Sequence, residues 1–271
     1  MGATDISVLS MFLFSSIILL PLIAGIFLKL GITKNLIYSL TRMSIQLLLV
    51  GVYLKYLFEY NNIFVNTAYI FIMITVAAFS VIRSSSLSLS KTVFPVFWSI
   101  VIPQIVVLAL FNWTTVGITE LFNAKYLVPI GGMILGNCLS GNIITLSSFY
   151  KSINKDEKKF LQMISYGADR SEAIAPYLRA SMLASINPAL SRMATMGIVS
   201  LPGMMTGQIL GGSVPMVAIK YQILIMIAIF SASFFSGLLS IYFTLPVSFT
   251  ACGTLNKKIF NLQSNSPTKG K

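Results

Sequence analysis

Long apolar runs separated by short polar clusters dominate the chain. Seven stand out: Val8–Leu28, Leu36–Tyr56, Ile63–Ile82, Val93–Phe111, Leu127–Phe149, Met193–Leu210 and Tyr221–Tyr242. A helix needs about 20 mostly apolar residues to cross a bilayer. The pattern therefore predicts an all-α, polytopic integral membrane protein with about seven transmembrane helices. The sixth run is the weakest, because Leu201-Pro202-Gly203 interrupts it, and proline removes a backbone donor while glycine loosens the chain. The first run follows neither a basic segment nor a small-residue cleavage site, so it reads as a retained span and not as a signal peptide.

Composition supports the same class. Of 271 residues, 56% are hydrophobic and 10% charged, against about 25% charged in a soluble domain. The net charge of +12 raises the question of nucleic acid. The basic residues are not gathered on one face with interleaved aromatics, as such a footprint requires; they sit between the apolar runs. Sixteen of the nineteen fall in alternate loops and the tail, and only Lys55, Lys125 and Lys220 fall on the other side. The positive-inside rule then places the N-terminus outside and the C-terminus in the cytoplasm of a cell-membrane protein.

Residues 1–260 read as one transmembrane domain and 261–271 as a polar tail. The connection from about 150 to 192 is the one substantial segment outside the bilayer. Phe160, Leu161 and Ile164 share one face of a short amphipathic helix. Asp169 and Glu172 have capping-box spacing. Pro176 and Pro188 are placed to open new helices, giving two or three short helices against the cytoplasmic mouth.

Catalytic chemistry has little to work with. Histidine is absent, which removes Ser-His, Cys-His and HExxH arrangements. Cys138 and Cys252 form no metal or disulfide spacing. The acids are Asp5, Glu59, Glu120, Asp156, Glu157, Asp169 and Glu172, none inside a predicted span. The string Gly131 to Cys138 has P-loop glycine spacing but lacks the Lys and Ser/Thr that meet phosphate and Mg²⁺. Its glycines suit close helix contact, with Gly132 and Gly136 as a small-xxx-small pair. The chain alone is not expected to be an enzyme or to bind a cofactor.

Uncharged polar groups are scattered through the spans: Asn137, Ser140, Asn142 and Thr145 in the fifth, Thr206 and Gln208 after the break in the sixth. Arg42 and Gln46 lie one turn apart in the second. Such groups either hydrogen-bond between helices or line a wet pathway. The break at Pro202 and Gly203 favours a pathway, because discontinuous helices free carbonyls and amides for a solute. Met133, Met204 and Met205 could present soft sulfur to a metal, or simply pack.

Gly197-Ile-Val-Ser-Leu-Pro-Gly-Met-Met-Thr-Gly-Gln-Ile-Leu-Gly-Gly212, followed by Pro215 and Lys220-Tyr221-Gln222-Ile223, resembles the signature of the FetB-like iron-export ABC permeases, which are related to plant aluminium-tolerance membrane proteins. Val128 to Asn137, Arg42 to Leu47, and Gly167-Ala168 with Ala173, Pro176, Arg179 and Pro188 also match, so the likeness covers nearly the whole chain. The resemblance implies a homodimeric permease working with a separate ATP-binding-cassette ATPase, which would carry the ATP and Mg. It implies a coupling segment within 151–192, carried by Gly167, Ala168, Asp169, Glu172, Pro176 and Arg179. Pathway candidates are then Arg42, Gln46, Asn137, Asn142, Pro202, Gly203, Met204, Met205 and Gln208. The substrate would be iron, another metal or a metal complex. A bare hard cation seeks oxygen ligands, many of them carboxylates, and the spans hold none. The alternatives are a stand-alone secondary transporter, disfavoured by the missing intramembrane carboxylate, and an ABC permease for a non-metal solute.

Overall fold

The computed structural model describes residues 6–115, 123–250, 254–256 and 259–260. Asp5, Glu120, Cys252, four tail lysines and the predicted tail 261–271 lie outside the described residues. The chain is all-helical there: α1 Val8–Ser15, a 3-10 turn Ser16–Ile18, α2 Leu19–Phe27, α3 Thr33–Tyr60, α4 Ile63–Ser84, α5 Leu89–Thr115, α6 Ala124–Lys155, α7 Glu157–Ser165, α8 Arg170–Thr195, α9 Gly203–Leu210 and α10 Pro215–Ser248. Among the described residues, six stretches are long and apolar enough to cross a membrane: Val8–Phe27, α3, α4, α5, α6 and α10. The protein is a multi-pass membrane protein.

The core is a bundle of α4, α5, α6 and α10, with α8 laid against α6 and α10. Contacts fix the direction of each helix. Asn142 of α6 meets Ser236 of α10, and Tyr150 meets Thr244, so these two helices run parallel. Ser99 of α5 meets Ser240 while Gln104 reaches back to Gly131, so α5 runs the opposite way.

Two parallel helices separated by one connection require a return crossing between them. That crossing begins in α8, which corrects the sequence reading. The predicted sixth span, Met193–Leu210, is not one helix: α8 ends at Thr195, residues 196–202 are non-helical, and α9 has only 8 residues. Pro176 and Pro188 do not open new helices but lie inside the 26-residue α8. Hydropathy misses α8 because Ser181, Ser185, Arg192 and other polar residues interrupt its apolar pattern. It runs from Tyr177, beside Phe160, to Arg192, which donates to Asn137 Oδ1 at 3.2 Å. Asn137 lies near the middle of the 32-residue α6, so α8 reaches into the middle of the bundle.

At one end the bundle closes into a platform. Ser88 N–H donates to the Ile259 carbonyl at 2.7 Å, Phe160 packs on Tyr177 and Phe249, and Arg170 lies over the Phe249 ring while donating to the Thr250 carbonyl. The α4–α5 turn, the α6–α8 elbow and the end of α10 thus share one face.

The N-terminal helices stand apart. Only Gly25 of α1–α2 and Leu57 of α3 are buried. Leu57 joins Ala124 and Val128 in a small satellite cluster.

Close packing centres on Gly131, where an added Cβ would sit 3.0 Å from Ile70 Cδ1 and 3.4 Å from Leu108 Cδ2. The expected pairing of Gly132 with Gly136 is only half realised: Gly132 meets Met73 of α4, whereas a Cβ on Gly136 would meet nothing within 4 Å. Gly131→Val is therefore expected to cost about 1–3 kcal/mol through overpacking, and Gly136→Val to change little. Thermal melting followed by size-exclusion chromatography in detergent distinguishes them; equal losses would show that Gly131 is not the contact point.

Candidate functional site

Two regions collect the functional candidates, one at the platform and one at the helix break.

The platform site is the elbow between α7 and α8. The α7 helix ends in a glycine turn: Gly167 has φ 92, its N–H donates to the Ile164 carbonyl, and Ala168 N–H donates to the Met163 carbonyl. Only glycine enters this left-handed region without strain. The expected capping box is formed: Glu172 Oε2 accepts the Asp169 N–H at 3.0 Å, and the Asp169 side chain accepts from the N–H of Glu172. Asp169 and Glu172 are exposed. Pro176 and Arg179 follow on the outer face of α8, where they line an open groove of about 430 Å³ with Ala175, Ala180 and Leu183. The structure therefore brings all six proposed coupling residues onto one exposed elbow and helix face.

The break does not fall at Pro202 and Gly203 as the sequence predicts, but starts earlier, at Met196. Met196 and Ser200 form an isolated bridge, and Gly197 N–H donates to the Ser200 carbonyl at 2.9 Å. Gly197 makes the reversal with φ 87. Pro202 comes after the turn and caps α9, and Gly203 is the first α9 residue. The short helix ends on a second left-handed glycine, Gly212.

Together with α10, the break borders a half-open cavity of about 460 Å³. Met193 of α8, Met196 and Pro202 of the break, Met205 of α9, and Gln222 and Met226 of α10 line it. Gln222 is 5% exposed. Its Nε2 contacts the Met196 sulfur at 3.9 Å, and its Oε1 has no partner. Gln208 Oε1 is also buried and unpartnered.

The other predicted pathway residues separate from this cavity. Asn142 is fully buried: its Nδ2 donates to Ser236 at 2.6 Å and its Oδ1 accepts from Ser240 at 2.7 Å. That is an interhelical clamp, continued by the Ser99–Ser240 contact at 2.8 Å and by Tyr150 against Thr244 and Ser248 at 2.6 Å. Asn137 Nδ2 donates to the Met133 carbonyl, leaving Oδ1 for Arg192. Arg42 and Gln46 are exposed on α3, away from the break.

Sequence reasoning named Met204 and Met205 but missed Met193, Met196, Gln222 and Met226. Part of the signal was present: Gln222 and Met226 are four apart and share a face of α10, whereas Met196 is three from Met193 but already beyond the end of α8. It went unread because methionine in an apolar helix usually packs. Arg192 was counted with the loops, although its position on α8 sets it beside Asn137.

Comparison with known proteins places these features in a family. The model for "Uncharacterised protein family (UPF0014)" matches residues 8–249, which include both the elbow and the break. The "UPF0014 membrane protein STAR2" of Oryza sativa is 28% identical over 238 residues, covering 86% of this chain and 80% of that protein. The "UPF0014 membrane protein slr1647" of Synechocystis is 33% identical over 201 residues, covering 74% and 77%. The "Probable iron export permease protein FetB" of Escherichia coli is 30% identical over 216 residues, covering 80% and 82%. No solved structure matches.

The break depends on backbone conformation at Gly197, where a Cβ would meet nothing within 4 Å. Gly197→Ala is thus expected to lose about 1–2 kcal/mol from left-handed strain alone. Gly203→Ala, in a helical position with open space around it, should be neutral or slightly stabilising. Melting temperatures of the two variants check this; a tolerated Gly197→Ala would mean that the turn can relax.

Proposed function

We propose that this chain, which belongs to the UPF0014 family, is the membrane permease of an ABC transporter that moves a metal or metal complex out of the cell. The observation that carries the reading is the division of labour in the fold. One end presents an exposed, capped helical elbow, and a broken helix with a cavity lies farther along the same helix. An elbow of this kind suits docking of a separate ATPase, which would hold ATP and Mg. The FetB relative, by its name an iron export permease, supports export and a metal cargo. Placing the platform in the cytoplasm follows from the excess of Lys and Arg in the connections at that end.

A homodimer fits the N-terminal helices. In a bilayer, polar groups that face neither water nor protein are costly. Arg42 and Gln46 lie exposed on α3, a helix of which only Leu57 is buried in its own chain. A second copy of the chain gives that face a protein neighbour. Gln46→Cys should then yield a cross-linked product of two permeases in native membranes; a chain that stays monomeric there and after gentle solubilisation would remove the dimer.

The functional test is ATP-dependent efflux from vesicles that hold the permease and its ATPase, loaded with ferrous, ferric or chelated iron. Asp169→Ala removes a cap worth about 0.5–2 kcal/mol. It is expected to leave insertion intact while lowering transport and permease-stimulated ATP hydrolysis. Asp169→Asn, also a good cap, should restore both. Unchanged coupling in Asp169→Ala would show that the ATPase docks elsewhere.

A further inference from the structure

The cavity at the break has an unusual lining. Four of its eleven residues are methionines, Met193, Met196, Met205 and Met226, in a chain with 13 methionines among 271 residues. They come from four successive pieces of structure: the end of α8, the break, α9 and α10. Turns separate these pieces, so folding gathers the four methionines around one cavity. A general need for apolar filling would be met as well by leucine, which lines the cavity once.

The fifth feature is Gln222. Its amide is buried, its nitrogen is committed to the Met196 sulfur, and its oxygen is left without a partner in the cavity wall. A buried acceptor without a donor costs about 1–3 kcal/mol. As it stands that oxygen is shielded from the cavity; a turn of the side chain would bring it to a cation there, whereas an apolar molecule would leave it unpaired.

The donor set identifies the kind of cation. The lining contains no carboxylate or thiolate, and no group of three acidic or cysteine residues exists among the described residues. Hard ions such as Fe³⁺, Al³⁺ or Mg²⁺ require several oxygens, and one amide oxygen is not enough. Thioethers are soft donors that select Cu(I)-type ions. They are also neutral, so they cannot offset a multiple charge in a low-dielectric setting, where the desolvation cost rises steeply with charge. Arg192 lies next to Met193, but its guanidinium is drawn to Asn137 on α6 and is not part of the lining. The cavity is larger than a bare ion. Methionine side chains have three rotatable bonds, Met205 sits between the Gly197 and Gly212 turns and Met196 directly precedes the first of them, so the sulfurs can converge.

We infer that the cavity formed by Met193, Met196, Met205, Met226 and Gln222 is a binding site for a soft monovalent cation, with Cu(I) and its redox-inert surrogate Ag(I) as probes. This deepens the permease reading by naming a substrate class, and it rests on that reading for transport but not for binding.

The test uses the full permease, purified alone in detergent, with Ag(I) measured by equilibrium dialysis and metal analysis, and Cu(I) by competition with a chromogenic chelator. One ion per chain is expected. The triple variant Met196→Leu, Met205→Leu, Met226→Leu conserves volume. It should remain monodisperse while losing affinity by more than the roughly 10–100-fold typical of losing a supporting partner. Met73→Leu with Met163→Leu, both outside the cavity, should bind as wild type. Gln222→Leu should weaken binding while retaining it. X-ray absorption at the Cu edge should show sulfur neighbours that the triple variant lacks.

The inference is overturned if wild type and triple variant bind Ag(I) equally, or if Fe(II) binds as tightly as Ag(I). It is equally overturned if a co-purifying lipid or detergent fills the cavity and Ag(I) does not displace it. Failure here with intact ATP-driven efflux leaves the permease reading standing. Intact Ag(I) binding without ATP-driven efflux of either iron or Ag(I) leaves the site and removes the permease.

Discussion

A hydrocarbon interior offers no hydrogen-bond partner, so every polar group carried into it must be met by the protein. The seam between α6 and α10 is where this chain meets that demand most heavily. Asn142, Ser236, Ser240 and Ser99 form one connected set, and Tyr150, Thr244 and Ser248 another, all fully or almost fully buried. Individual bonds of this kind between membrane helices are modest, averaging about 0.6 kcal/mol in one well-measured case. Their larger effect is on alignment. Asn142 and Tyr150 each meet partners 94 and 98 positions later on α10, a constant register, and a slip along the seam would strand several of them together. The seam therefore fixes α6 and α10 as parallel. That in turn forces α8 and the break to carry the chain back between them.

This explains which parts of the fold were legible in the sequence. The six apolar crossings were, because their signal is length and hydropathy, which do not depend on neighbours. The crossing begun by α8 was misplaced toward Met193–Leu210, because its hydropathy is diluted by Ser181, Ser185 and Arg192. Those residues are tolerable only because α6 and α10 lie alongside, and no local pattern reports that. The proline signals misled for a related reason. Pro188 frees a backbone carbonyl, which in isolation ends a helix. In α8 the freed carbonyl is that of Ala184, one turn back, and the helix continues through it to Thr195. Glycine and capping signals at the elbow read correctly, since the Gly167 turn and the Asp169–Glu172 box are local devices that need no tertiary partner.

The site was legible in part for the same reason. Pro202, Gly203 and Met205 were marked by the break itself. Asn142 and Asn137 were marked by polarity, and polarity cannot distinguish a clamp from a lining. Only the partners decide: Asn142 has both ends of its amide engaged on α10, whereas the oxygens of Gln208 and Gln222 are unengaged. A polar residue inside a membrane bundle points to a solute when its hydrogen-bonding capacity is unspent, not merely when it is polar.

The same helix joins the two sites. At 26 residues, α8 is about 39 Å long, with the capping box at one end and the methionine cavity at the other. Its first turns are anchored by Tyr177 against Phe160 and by Arg170 against Phe249 and Thr250; its last is held by Arg192 on Asn137. Between them Gly237 lets α10 approach closely, since a Cβ there would stand 3.2 Å from Thr145 Oγ1 and 3.6 Å from the Met182 sulfur. A displacement imposed at the elbow of the proposed permease is carried by a continuous helix, not dissipated in loops, until it reaches Thr195. The chain softens at that point: the bridge between Met196 and Ser200, the Gly197 turn and the short α9 have no buried residues. In the proposed permease, a stiff arm ending in such a turn would convert motion at a docked ATPase into a change of cavity shape, and the wall that would change is the one carrying Met196 and Met205.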